Sequence, residues 1–112
     1  MIEKAQLKEL LTELRLGLEI IYGRRLKGLY LYGSYARGEA TTGSDIDLMI
    51  VFKEEVSFSL EVERMNESAT EILLEYGELI SLYPISMSRL HQWNTPLLMN
   101  VQKEGICVWK RS

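Results

Sequence analysis

Asp45 and Asp47 stand two residues apart at the head of the apolar run DIDLMIVF, residues 45–52. Ten residues separate Asp45 from Gly33-Ser34, which closes an earlier apolar run, LKGLYLY at 26–32. Alternation along an extended strand predicts both carboxylates on one face, with Ile46, Leu48, Ile50 and Phe52 on the other. Two ionised carboxylates about 4 Å apart repel by roughly 4 kcal/mol at an effective dielectric of about 20, so such a pair calls for a compensating cation. A hard divalent ion is the simplest candidate, because Mg²⁺ takes one or two protein carboxylates and fills its remaining positions with water and substrate phosphates. Gly33 allows close backbone approach, and Ser34 at a helix start offers a hydroxyl and free amides to an anion. The two groups would then meet in one pocket, phosphate at Ser34 and metal at Asp45 and Asp47. The plain alternative is a surface turn in which an aspartate merely caps a helix.

Those residues need elements to hold them. Leu7, Leu10, Leu11, Leu14, Leu18 and Ile21 recur at helical spacing, which predicts a helix over 2–22 stopped at Gly23. Residues 26–32 read as a strand, broken by Gly33-Ser34, and 45–52 as a second strand. Leu60, Val62, Met65, Ala69, Ile72, Leu73 and Tyr76 predict a helix over 59–76 that ends at Gly77. A third strand is expected over 78–87, where Pro84 cannot donate to a ladder and so favours an edge or a strand end. Ser88 is a possible cap for a short helical turn, Thr95-Pro96 starts a helix that runs through Val101, and ICVW after Gly105 is a small last strand.

Composition narrows the function classes. A chain of 112 residues, 46% hydrophobic, is expected to form one domain over 1–112 with a real core. A formal charge of -3 offers no broad cationic footprint and argues against tight nonspecific binding of DNA or RNA. Cys107 has no partner for an intramolecular disulfide, and no segment reads as a signal peptide or membrane span, so a soluble cytoplasmic protein is expected.

The segment GSYARGEATTGSDIDL, residues 33–48, resembles the Gly-Ser, ten residues, Asp-x-Asp signature of the nucleotidyltransferase superfamily related to DNA polymerase beta. Chain length and the tail from Ser81 to Trp109 are similar to the minimal nucleotidyltransferases, which are often paired with HEPN-domain proteins in toxin–antitoxin operons. Only about sixteen residues match at the level of the motif. The resemblance implies an α/β (α+β) nucleotidyltransferase fold, a small mixed sheet flanked by helices in the order α-β-α-β-α-β-α. It also implies that Gly33, Ser34, Arg37 and Ser44 serve the nucleotide, that Asp45 and Asp47 are catalytic and hold Mg²⁺, and that ATP is the substrate. The reaction implied is attack of an acceptor hydroxyl on the α-phosphate with loss of pyrophosphate, the acceptor being a tyrosine of a HEPN toxin, in a homo- or hetero-oligomer.

One departure bears on activity. Active relatives supply a third carboxylate from the next core strand, and Ser81 of LISLY stands in that place here, with Glu78 the nearest acid. Parity puts Glu78 on the other face from Ser81 unless a bulge or strand end intervenes. A fold that neutralises its partner by contact alone is therefore a second reading, and an antibiotic or an RNA end as acceptor is a third. Arg37 either meets phosphate, supports the loop or pairs with Glu39. His91 lacks companions for a metal site, Cys107 reads as a small core residue, and Tyr30, Tyr32, Tyr35, Tyr76, Trp93 and Trp109 are expected in or around the core. The charged run 53–63 reads as a solvated loop and helix start.

Overall fold

The computed structural model describes residues 2–112. Helix α1, Lys4–Tyr22, is followed by a 3₁₀ turn, Gly23–Arg25, and strand β1, Leu26–Tyr32. A short helix α2, Gly33–Arg37, and a loop lead to β2, Ile46–Phe52, then α3, Phe58–Tyr76, and β3, Ile80–Ser86. Helices α4, Met87–Leu90, and α5, Pro96–Glu104, precede the last strand β4, Ile106–Lys110. The expected α/β order therefore holds, with the final helical step divided into two and the small terminal strand in place.

The four strands form one mixed sheet in the order β3-β2-β1-β4. β1 pairs antiparallel with β2 and with β4, while β2 and β3 run parallel, joined by the α3 crossover. Pro84 lies on an edge strand, as its missing N–H requires. Alternation along β2 builds two cores. Ile46, Leu48, Ile50 and Phe52 pack with Leu10, Leu14 and Leu18 of α1 and with Met65 and Ile72 of α3. Met49 and Val51 face the other way, against Leu90, Leu98 and Val101 of α4 and α5. Helices cover both faces, which is why β2 is buried almost without interruption.

Several local expectations need correction. Ile21 is 43% exposed and Tyr22 takes its place in the core, because the helix ends there and the chain turns beneath the sheet. On α3, Leu60, Val62 and Leu73 are exposed, whereas Glu61, in a run read as solvated, is only 2% exposed. Its carboxylate accepts a hydrogen bond from the Tyr22 hydroxyl at 3.0 Å and pairs with Arg64 at 3.3 Å, which makes the burial tolerable. The cap of α4 is Ser86, whose Oγ accepts from the Arg89 amide, and not Ser88, which lies inside the helix. Thr95 caps α5 through the Leu98 amide with Pro96 next to it. Cys107 is exposed on β4 instead of buried.

Candidate functional site

The α4/α5 face of the sheet ends in a row of three side chains set by register. Tyr32 of β1 lies opposite Asp47 of β2, and Asp47 lies beside Ser81 of β3. Residues aligned across neighbouring strands project to the same face, so Ser81 does occupy the position next to Asp47. Glu78 precedes β3, which begins at Ile80, and it shares a small hollow of about 190 Å³ with Ser44, Asp45 and Gly77. The strand end thus brings Glu78 near Asp45 and leaves Ser81 near Asp47. Among the described residues no three His, Cys, Asp or Glu side chains stand close enough together to hold a metal by themselves.

β1 turns into α2 at Gly33, and the turn is made against Asp47. Gly33 has φ of +73°, and a Cβ there would run into the Asp47 carboxylate, standing 3.1 Å from its Cγ. Only glycine fits that backbone and that space. Ser34 follows in the first turn of α2, and its carbonyl accepts the amides of Gly38, which caps the helix in a left-handed conformation, and of Glu39 at 2.9 Å. The Gly33 bend thus sets the start of α2 against Asp47, with Ser34 following in the helix's first turn.

Asp45, just ahead of β2, is exposed, while Asp47 is partly buried. The Asp47 carboxyl is pushed above its ordinary range first by burial and then by the Asp45 charge, with Arg37 pulling the other way. Neither aspartate takes part in an ion pair among the described residues. Tyr32 is pushed up to about 12 by burial, by Asp47 and by Tyr83. A carboxylate raised by burial and by the charge of a second carboxylate, with no third His, Cys, Asp or Glu grouped with them among the described residues, forms with that second one a donor set suited to a hard divalent cation that draws its remaining ligands from water and phosphate. On that observation the residues fit Mg²⁺.

Arg37 pairs with Glu39 at 2.8 Å and Glu104 at 3.6 Å, which ties α2 to α5. Ser44 accepts the Thr41 amide on its Oγ and donates its own amide to the Thr41 carbonyl, closing the turn that delivers Asp45. Both therefore have structural partners in the loop. His91 is exposed and packs edge-on to Trp93. Tyr32, which borders Asp47 on this face, and Tyr83, which acts on Tyr32, were not singled out by spacing, and only the pairing of β1, β2 and β3 reveals them.

A family described as polymerase beta, nucleotidyltransferase, matches residues 18–112. A Methanocaldococcus jannaschii protein described as a candidate protein adenylyltransferase is 38% identical over 60 residues, which span 54% of this chain and 54% of that protein. The matched stretch is thus about half the length of that relative. A chain of a toxin–antitoxin complex solved with AMP-PNP superposes with a TM-score of 0.61 at 22% identity, covering 88% of this chain and 73% of its own. A second complex, the tri-AMPylated Shewanella oneidensis HEPN toxin with its MNT antitoxin, gives 0.50 at 15%, covering 91% and 73%. At those identities the likeness establishes the fold.

Proposed function

The chain belongs to the polymerase beta nucleotidyltransferase family, and on that premise we propose that it transfers AMP from ATP to a hydroxyl of a protein partner. The observation that carries this reading is the Gly33 bend, built with no room for a side chain against Asp47. In the proposal the Gly33-Ser34 turn holds the triphosphate, and Asp45 and Asp47 hold Mg²⁺. An ion held there would supply positive charge to the phosphates. The oxygen of the acceptor hydroxyl attacks the α-phosphorus and its proton passes to solvent water, the bond from that phosphorus to the oxygen bridging to the β-phosphate breaks, and pyrophosphate leaves with that electron pair. Tyr32 stays protonated at neutral pH and forms a neutral wall beside Asp47. Arg37, braced by Glu39 and Glu104, adds positive potential toward Asp47.

The protein substrate is supported by the relatives described as protein adenylyltransferases, and a HEPN-type toxin as partner by the complexes whose fold this chain shares. The chain then acts as an antitoxin in the cytoplasm. No described helix is long and apolar enough to cross a membrane. Ser81 favours a second reading, in which the fold binds its partner without turnover, because a hydroxyl beside Asp47 cannot take the acceptor's proton as a carboxylate would.

Incubation of the protein and its copurifying partner with Mg²⁺ and α-labelled ATP separates the two readings. Transfer predicts label on the partner, reduced about 10²–10³-fold in Asp45→Asn and Asp47→Asn. An unlabelled partner that still binds the wild-type protein refutes transfer and supports neutralisation by contact.

A further inference from the structure

We propose that the groove between α1 and β4 is a docking site for an amphipathic helix of a partner protein that carries carboxylates along its apolar stripe. Two adjoining hollows, of about 720 Å³ and about 460 Å³, meet at Lys4 and Leu7, which line both. Leu7 and Leu11 of α1 give one apolar wall, and Val108 and Trp109 of β4 give the other. An acidic occupant is indicated by charge. In a chain with 16 acidic residues and a formal charge of -3, no carboxylate lines either hollow, whereas Lys4, Lys8 and Arg15 do. Lys4 and Lys8 form no ion pair among the described residues. Lys4 and Lys8 stand about 6 Å apart, one turn along α1, a spacing that carboxylates one turn apart on a helix lying alongside can follow.

The groove is also preorganised. The guanidinium groups of Arg15 and Arg111 lie 5.4 Å and 5.0 Å from the centre of the Trp109 ring, and both arginines are held by Glu19. The aromatic anchor is therefore fixed before anything docks, which reduces the ordering lost on binding. The wall from Lys4 to Arg15 precedes residue 18, where the family match begins, whereas Tyr35, Ala36 and Gly38 of the second hollow belong to the motif segment 33–48. The inference rests on the groove alone and not on AMP transfer.

The test uses the full chain without nucleotide and two labelled sixteen-residue helical peptides, each with a leucine stripe, one flanked by glutamates and one by lysines. Fluorescence anisotropy is expected to show at least ten-fold tighter binding of the glutamate peptide, with amide shifts concentrated at Leu7, Leu11, Val108 and Trp109. The exposed pair Lys4→Glu with Lys8→Glu should remove that preference while leaving the circular dichroism melt unchanged. Equal affinity for the two peptides, shifts confined to other surfaces, or a preference that survives the double substitution overturns the proposal. So does sedimentation of the free protein as a dimer that buries the groove, which would assign the surface to a second copy. None of these outcomes bears on AMP transfer, which is read by labelling.

Discussion

A partly buried carboxylate that faces a second carboxylate, with no arginine or lysine bonded to either, is raised in energy until a cation arrives, and Asp47 is such a group. Its nearest constraint is Gly33. Substituting Gly33→Ala puts a Cβ into a left-handed backbone and into the carboxylate, so a loss of about 1–3 kcal/mol in denaturant stability is expected, together with loss of nucleotide affinity. A stability unchanged within error would mean that the bend relaxes freely and is not what positions Asp47. Ser81 offers the opposite experiment. If the missing acid limits turnover, Ser81→Asp restores a proton acceptor beside Asp47 and raises the rate of AMP transfer by about 10²-fold or more. The added charge should also lower metal-free stability at neutral pH by roughly 0.5–3 kcal/mol, recovered on adding Mg²⁺. A variant no faster than wild type in a labelling time course would show that Ser81 is not the limiting position.

At the scale of elements, the strongest signals were those carried by backbone chemistry. β1 begins and ends where LKGLYLY does, α3 stops at the left-handed Gly77, and Thr95-Pro96 opens α5, because each boundary is enforced by one residue's conformational limits. Side-chain burial was harder to read. Periodicity alone could not foresee that Tyr22 would replace Ile21 in the core or that Glu61 would be buried, since both depend on α1 and α3 lying side by side, 39 residues apart in sequence at the Tyr22–Glu61 bond. The two swaps belong together, because the buried carboxylate needs the hydroxyl that the buried tyrosine brings. The same pairing has a pH signature. Tyr22 is held up to about 12, first by burial and then by its bond to Glu61, and Tyr32 and Tyr76 are raised to about 12 as well. A tyrosine whose folded value exceeds its ordinary 10 retains its proton better folded than unfolded, so stability should fall as pH rises from 10 toward 12. Urea melts across that range, read alongside tyrosine absorbance, are expected to show the decline and a smaller one in Tyr22→Phe. Stability that stays level from pH 10 to 12 would contradict the buried pairing.

At the scale of the whole molecule, one sheet serves two purposes. Its α1/α3 face is closed by the larger core, while its α4/α5 face is filled by a smaller one that reaches Tyr32, with Asp47 and Ser81 aligned beyond it on the neighbouring strands. The spacing of Gly33-Ser34 and Asp45-x-Asp47 made the meeting of Gly33 with Asp47 legible from sequence, because a strand, a bend and a second antiparallel strand can bring those two together in few ways. The local partners of Arg37 and Ser44 were less legible: Glu39 was named beforehand, but Glu104 and Thr41 emerge only when α2, α5 and the loop are assembled. All of this converges on a single physical claim, that the two aspartates and the Gly33-Ser34 bend hold a nucleotide through a divalent ion. Isothermal calorimetry of ATP with wild-type protein and with Asp47→Asn, each with and without Mg²⁺, measures it most directly. The account predicts heat of binding only for the wild-type protein in the presence of Mg²⁺. ATP binding that is indifferent to the metal or to Asp47, or no binding by the wild-type protein with Mg²⁺ present, would contradict it.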